Sequence, residues 1–99
     1  MIRPPFLEDL DRRVLVCDGA MGTMLYARGI FLNRSFDELN LTQPDLVAEV
    51  HQAYVQAGAD VIETNTFGAN RIKLGAFDLA DQVYAINLQG ARIARQAAP

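Results

Sequence analysis

The stretch VLVCDGAMGT, residues 14–23, decides how the rest of the chain is interpreted. Its four apolar residues in a row predict a short strand buried on both faces, as in a parallel sheet. The strand ends at Asp18 and Gly19, and α/β enzymes place their ligands at the carboxyl ends of such strands. Gly19 and Gly22 allow a tight turn and the close approach of a ligand. A candidate binding site therefore lies at this strand end.

A second stretch, DVIETNTFG at residues 60–68, repeats this arrangement. It is a short β-rich run that ends in Thr66, Phe67 and a glycine. Between the two predicted strands, apolar residues at three- and four-residue intervals predict a helix that ends near residue 57. The residues expected on its buried side are Leu46, Val50, Ala53, Tyr54 and Ala57. Strand, helix and strand in this order are typical of a right-handed βαβ crossover, so the predicted fold class is α/β.

The boundaries of this central helix are marked by local signals. Thr42 is a candidate N-cap, Pro44 suits the first turn, and Asp45 stands where a capping-box acid reaches back to the cap amide. Gly58 is expected to end the helix in a left-handed conformation. The stretch 19–41 has no persistent periodicity, and a loop of this length is more often functional than idle.

Four further helical segments are predicted. They cover residues 6–13, residues 23–28 before Gly29, residues 69–74 before Gly75, and a longer helix with Asp78 as its N-cap. The apolar stripe of the longer helix consists of Leu79, Val83, Ile86, Gly90, Ile93 and Ala97. A third strand would be expected to begin after this last helix.

Composition excludes several classes of protein. The 99 residues carry a net charge of −3 without a basic stripe, so a nucleic-acid interface is not expected. The apolar runs are far shorter than a membrane span, and the first residues lack the apolar core of a signal peptide. A cytoplasmic protein without membrane partners is therefore predicted. One cysteine excludes an internal disulfide.

Three blocks of sequence resemble the N-terminal part of the homocysteine-binding domain of the homocysteine S-methyltransferase family. They are VCDGAMGT at 16–23, NLTQPDLV at 40–47 and GADVIETNTFGANR at 58–71. The resemblance implies a (βα)₈ TIM barrel, which needs about 250 residues. Residues 1–99 would then be an incomplete N-terminal fragment of that domain, with about two βα units. The blocks look closer to the methionine-synthase and bacterial branches than to the betaine-dependent branch.

The resemblance also implies a chemistry. The family transfers a methyl group to homocysteine, whose thiolate is activated by Zn²⁺ held by three cysteines from later strand ends. The only cysteine here, Cys17, precedes the Asp-Gly block inside the strand and is expected to be a small buried apolar residue. His51, in mid-helix, is likewise no ligand candidate. No metal ligand and no catalytic residue are therefore assigned to this chain, which is expected to be inactive alone.

The methyl donor stays open on this evidence. Methyltetrahydrofolate through cobalamin, S-methylmethionine, S-adenosylmethionine and betaine are all compatible with the resemblance. Cobalamin or folate would act through other domains. Oligomeric state is open as well.

Four residues are assigned to homocysteine binding. Asp18 resembles the acid that holds the amino-acid end of homocysteine, although an aspartate here can also simply cap the following turn. Gly19 resembles the glycine whose backbone lies against the substrate. Thr66 and Phe67 match the second strand end, the threonine by hydrogen bonding and the ring by packing. Asn65 and Asn70 are weaker candidates, since such groups also satisfy loop backbone, and the direction of Glu63 is undetermined.

Three other interpretations compete with this one. A dinucleotide-binding domain would need Gly-x-Gly-x-x-Gly after the first strand, and that pattern is absent. Another (βα)₈-barrel enzyme with acidic strand ends is a second alternative. A catalytically inert fragment or interaction module is the third.

Overall fold

The computed structural model describes residues 5–31 and 33–99. Six α-helices follow one another in this part of the chain: α1 Phe6–Arg12, α2 Gly22–Ala27, α3 Leu39–Thr42, α4 Pro44–Gln56, α5 Arg71–Gly75 and α6 Val83–Ala97. A short 3₁₀ helix, Ala80–Gln82, precedes α6. None of these helices has the length and the hydropathy needed to cross a bilayer.

The two predicted strands lie side by side and run in the same direction. A parallel bridge pairs Cys17 with Val61. The amide of Asp18 donates to the carbonyl of Val61 at 2.9 Å, and the amide of Val61 donates to the carbonyl of Val16 at 3.2 Å. The amide of Val16 also donates to Asp60 Oδ2 at 3.0 Å. The parallel pairing expected of a βαβ unit is therefore present.

The strands themselves are much shorter than predicted. Among the residues that the structure describes, the pairing amounts to one bridge, and neither 14–18 nor 60–68 forms a continuous strand. Each segment has only the other as a β partner here, so no ladder extends the pairing. The molecule is mostly helical, and the barrel remains a prediction.

Burial of the first segment was predicted wrongly. Val14 is 85% exposed and Val16 is 56% exposed. Cys17, expected to be buried, is also exposed. A parallel strand is buried on both faces only where elements cover both sides, and the first segment lacks such cover in the described part of the chain.

The core lies between helices. Helix α4 packs against α2, α3 and α6, and α3 also packs against α6. The main buried cluster consists of Leu25, Ile30, Leu39, Val47, Val50 and Ile93. A smaller cluster consists of Ala69, Leu74 and Ile86. Burying these side chains supplies the hydrophobic stabilisation that holds the helices together.

Helix α4 differs from its prediction at its start and in its buried residues. Thr42 is the last residue of α3, a helix that was not predicted, and its hydroxyl donates to the carbonyl of Glu38 at 3.3 Å. Gln43 holds the N-cap position without a side-chain cap bond, because Thr42 already belongs to the preceding helix. Gly58 follows α4 with φ +108°, as predicted. Ala57, expected to be buried, is exposed.

The last helix also begins later than predicted. Asp78 has φ +62° and is not an N-cap, since α6 starts at Val83 after the 3₁₀ helix. The stripe expected on α6 is confirmed at its centre, where Ile86, Gly90 and Ile93 are buried. The predicted helices near residues 6–13, 23–28 and 69–74 are present as α1, α2 and α5.

Candidate functional site

A cavity of about 650 Å³ opens where the two paired segments end. Residues 18–22 and 63–68 form two of its walls, and residues 34–37 form a third. Asp18, Gly19, Thr66 and Phe67, the four residues predicted to bind substrate, all line this cavity. The parallel pairing accounts for this convergence, because neighbouring parallel strands end at the same edge.

The carboxylate of Asp18 is held across the two segments. Its Oδ2 accepts a hydrogen bond from the amide of Glu63 at 3.1 Å. Its Oδ1 is buried and has no hydrogen-bond partner among the described residues. Asp18 therefore bonds to the second segment, 45 residues away, rather than to the turn that follows it. The side chain of Glu63, whose direction the sequence left undetermined, is exposed.

Gly19 lies against Tyr54 of α4. The Tyr54 hydroxyl donates to the carbonyl of Ala20 at 2.6 Å. A Cβ atom added at Gly19 would stand 2.9 Å from that hydroxyl oxygen. A side chain at residue 19 would force the Tyr54 ring to shift, so glycine permits the close approach of the turn and the ring.

At the end of the second segment, the Thr66 side chain is hydrogen-bonded within the protein and the Phe67 side chain is exposed to solvent. The Thr66 hydroxyl lies 2.6 Å from the Thr64 hydroxyl, close enough for a hydrogen bond. The ring of Phe67 is fully exposed at the cavity mouth. In this structure its ring is available to a ligand rather than packed into the core.

Asn65 and Asn70, the weaker candidates, have structural partners. Asn65 Nδ2 donates to the carbonyl of Phe36 at 2.9 Å and to Asn40 Oδ1 at 3.1 Å. Asn70 is the N-cap of α5, where its Oδ1 accepts from the amide of Lys73 at 2.9 Å. Both side chains satisfy loop or helix backbone, which is the alternative considered for them.

Asp37 is a site residue that the sequence analysis missed. It is buried, lines the cavity, and its Oδ1 accepts from the amide of Gly68 at 3.2 Å. A Cβ atom at Gly68 would stand 2.7 Å from Asp37 Oδ2. Burial raises the pKa of Asp37, and the hydrogen bond from Gly68 opposes that effect. The run SFDE at 35–38 indicates a local turn, in which Ser35 Oγ accepts from the amide of Glu38, but it gives no signal for the contact of Asp37 with Gly68.

His51 is the second residue whose importance the sequence did not reveal. Its side chain is fully buried in α4, and neither ring nitrogen has a hydrogen-bond partner among the described residues. Burial lowers its pKa, while the charge of Asp18 raises it. The imidazole is therefore neutral at neutral pH and interacts electrostatically with the carboxylate of Asp18, which lines the cavity.

The residues described here offer no metal centre. Across 5–31 and 33–99, no group of three or more His, Cys, Asp or Glu side chains is arranged to hold a metal ion. Cys17 stands alone, whereas a structural or catalytic Zn²⁺ takes at least three protein ligands. These residues by themselves do not fit a zinc site.

Comparison with known proteins gives consistent results. The family model for homocysteine S-methyltransferase matches residues 15–99. Methionine synthases of Mycobacterium tuberculosis (strain ATCC 25618 / H37Rv) and Mycobacterium leprae (strain TN) are each 44% identical over 98 residues. These alignments cover 93% of this chain and 8% of either relative, so the chain spans a small part of their length.

Solved structures agree with the sequence comparison. The metallated form of the homocysteine methyltransferase MmuM from Escherichia coli superposes with a TM-score of 0.80 at 33% identity, covering 95% of this chain and 34% of that one. Its oxidized form gives a TM-score of 0.82 at 33% identity, with 96% and 34% covered. The described fold therefore corresponds to about a third of a larger chain.

Proposed function

Because this chain belongs to the homocysteine S-methyltransferase family, we propose that it forms the N-terminal part of a homocysteine-methylating domain. Residues 1–99 would supply the first two βα units of a (βα)₈ barrel, whose further strands would cover the exposed Val14 and Val16. The observation that carries the proposal is the convergence of Asp18, Gly19, Thr66 and Phe67 on one cavity. Methionine would be the product.

Asp18 would bind the ammonium group of homocysteine. A carboxylate held by the amide of Glu63 at a partly desolvated strand end presents a fixed negative charge to the cavity. Charge-assisted hydrogen bonds of this kind are shorter and roughly twice as strong as neutral ones. The role assigned to Asp18 is therefore recognition of the amino group.

The other three residues would shape the cavity around the same ligand. The missing side chain of Gly19 leaves room for Tyr54 behind the turn, and the backbone of Gly19 at the cavity wall would lie against the substrate. The hydroxyl of Thr66 supplies a hydrogen-bonding group, and the exposed ring of Phe67 supplies an apolar surface that closes over the ligand. This division of roles suits a small amino acid with an apolar thiol side chain.

The metal chemistry would belong to the rest of the domain. Zn²⁺, when bound, lowers the pKa of the homocysteine thiol and so supplies a thiolate at neutral pH. Its three cysteine ligands would lie outside residues 1–99, since the described residues hold no such ligand set. Cobalamin or folate would act through other domains, and the methyl donor is not assigned.

A second candidate function is a catalytically inert fragment. The specific observation in its favour is that the chain covers 34% of MmuM and 8% of the methionine synthases. On this view the isolated chain folds without methylating homocysteine, while the longer protein that contains it is the enzyme. Methyl transfer to homocysteine by the isolated chain would refute this second candidate.

The test removes the amino group of the ligand and the carboxylate of Asp18, separately and together. Methyl transfer is measured in the longer protein with homocysteine and with 4-mercaptobutanoate, the same thiol acid without the amino group. Removing a hydrogen bond to a charged group costs about 1.5–3 kcal/mol, so Asp18→Ala should raise the KM for homocysteine about 10- to 100-fold. The KM for 4-mercaptobutanoate should stay within about twofold of its original value.

The control is Asp11→Asn, a change at an exposed residue of α1. It should leave both KM values unchanged. An Asp18→Ala variant that loses affinity equally for both thiols would contradict the assignment of Asp18 to the amino group. A longer protein that methylates neither thiol would overturn the proposed function itself.

A further inference from the structure

Two buried polar groups near the cavity have no hydrogen-bond partner in the described part of the chain. One is Oδ1 of Asp18, and the other is the imidazole of His51, through both of its nitrogens. Buried polar atoms in native proteins are nearly always paired, either with protein or with an ordered water. A carboxylate oxygen only accepts and a neutral imidazole has one N–H to donate, so the two groups are complementary.

The position of α4 brings these groups toward each other. His51 and Tyr54 are three residues apart and lie on the same side of the helix. Tyr54 reaches the carbonyl of Ala20, so this side of α4 faces the end of the first segment, where Asp18 lies. The charge of Asp18 is also felt by His51 through an electrostatic interaction. The side chain of His51 is fully shielded from solvent.

The two oxygens of Asp18 therefore face different surroundings. Oδ2 is held by the amide of Glu63, while Oδ1 is closed off from solvent. Because Oδ1 is buried, a ligand in the cavity would meet the carboxylate through Oδ2. Only a group within the protein, or a water enclosed by it, can satisfy Oδ1 and fix the rotation of the carboxylate.

We propose that His51 is a positioning residue for Asp18. Its neutral imidazole donates a hydrogen bond that reaches Asp18 Oδ1 through one enclosed water, and this holds the carboxylate at the angle that binds an ammonium group. This inference rests on the proposed function, because the ligand that Asp18 receives is the amino group of homocysteine. His51 would not contact the ligand itself and would act through Asp18, which would bind the ligand.

Packing alone does not explain a histidine at this position. An apolar side chain of similar volume would fill the same space without two unsatisfied nitrogen atoms. Val47 and Val50, which are fully buried on the same helix, show that α4 elsewhere uses apolar residues in its core. The polar imidazole is explained by a polar partner, and the nearby unpaired acceptor is Asp18.

The test is a double-mutant cycle in the longer protein. His51→Leu removes the donor and keeps an apolar side chain of similar size, and Asp18→Ala removes the acceptor. Loss of one neutral hydrogen bond corresponds to a rise in the homocysteine KM of about 2- to 10-fold for His51→Leu, with kcat changed by less. In the Asp18→Ala background, His51→Leu should cause no further rise, because the residue through which it acts is gone.

Two further variants separate positioning from packing. His51→Gln keeps an N–H donor and should restore the homocysteine KM to within about twofold of the original protein. Val50→Ala, a cavity-forming change on the same helix, should lower the unfolding midpoint without moving the KM ratio between homocysteine and 4-mercaptobutanoate. Equal effects of His51→Leu in both backgrounds, or no effect in either, would overturn the inference.

A spectroscopic measurement covers the case in which His51→Leu does not fold. The imidazole ¹⁵N resonances of His51, assigned by their loss in His51→Gln, report the tautomer and the hydrogen bond. Asp18→Ala should shift these resonances, and unchanged resonances would overturn the inference. Failure of the proposed function is distinct, since the original protein would then show no homocysteine methylation with which to compare the variants.

Discussion

Asn40 and Asn65 hydrogen-bond each other twice. Asn40 Nδ2 donates to the carbonyl of Asn65 at 2.9 Å, and Asn65 Nδ2 donates to Asn40 Oδ1 at 3.1 Å. The same Asn40 amide donates to the carbonyl of Ile86 in α6 at 3.1 Å. Both side chains are buried, so this pair fastens the end of the second segment to α3 and α6. The cavity wall at 63–68 depends on it.

Removing one member of this pair should destabilise the chain. Asn40→Ala leaves the carbonyls of Asn65 and Ile86 without this donor, and a buried polar group left unpaired costs about 1–3 kcal/mol. The free energy of unfolding, measured with urea at constant m-value, should fall by that order. Asn33→Ala, at an exposed position, is the control and should change it little. An equal effect of both changes would contradict the importance given to the pair.

Gly90 in α6 and Gly75 in α5 should respond to alanine with opposite changes in stability. A Cβ atom at Gly90 would stand 2.8 Å from Asn40 Nδ2 and 2.9 Å from Thr66 Cγ2. At Gly75 the nearest atom would be 4.0 Å away. Alanine normally stabilises a helix by about 0.5–1 kcal/mol relative to glycine. Gly75→Ala should raise the urea midpoint or leave it unchanged, whereas Gly90→Ala should lower it; a stabilising Gly90→Ala would refute the close approach.

Gly19 and Tyr54 should be coupled. Gly19→Ala places its methyl 2.9 Å from the Tyr54 hydroxyl, and Tyr54→Phe removes that oxygen together with its hydrogen bond to Ala20. Each single change should lower the free energy of unfolding. The double variant should lose less than the sum of the two, since Tyr54→Phe removes the closest contact and leaves a ring carbon at 3.2 Å as the nearest atom. Strictly additive losses of unfolding free energy would show that the Gly19–Tyr54 contact is not the cause of the destabilisation by Gly19→Ala.

Because of Asp37, the free energy of unfolding should decrease as the pH rises from 3.8 through the folded-state pKa of this residue. Burial raises its pKa in the folded state above the ordinary value of 3.8. Its contribution to stability is therefore fully present below pH 3.8 and is lost as the pH rises through the folded-state pKa. Asp37→Asn keeps an oxygen for the Gly68 amide and removes the buried charge.

The expected result is a variant whose stability relative to the original chain increases over that pH window and then stays constant. Urea unfolding at a series of pH values measures the difference. Asp11→Asn, at an exposed position, is the matched control. A relative stability of Asp37→Asn that decreases with rising pH would reverse the sign and exclude burial as the cause.

Local patterns in the sequence predicted the elements that local physics controls. Three- and four-residue spacing located α4 and α6, and Gly58 ended α4 in the left-handed region as expected. The predicted helix boundaries were wrong where a residue expected to cap one helix belongs to another element or turn. Thr42 has the chemistry of a cap but belongs to α3, and Asp78 adopts φ +62° before a 3₁₀ helix rather than capping α6.

The site was predictable in the part that depends on topology. Asp18 and Thr66 were expected at one edge because parallel neighbours end together, and they line one cavity. Asp37, Asn40 and His51 were not found, because their importance arises from contacts with residues far away in sequence. Asp37 meets Gly68 across 31 residues, and Asn40 meets Ile86 across 46. Single-sequence periodicity carries no signal for such contacts.

Two aspartates, one on each paired segment, accept hydrogen bonds from backbone amides of the other segment, and these bonds select the register of the pairing. Asp60 Oδ2 accepts from the amide of Val16, and Asp18 Oδ2 accepts from the amide of Glu63. A slip of one residue would turn both carboxylates to the other face and lose both bonds together. A register shifted by one residue would therefore be less stable than the observed one by the contribution of both hydrogen bonds.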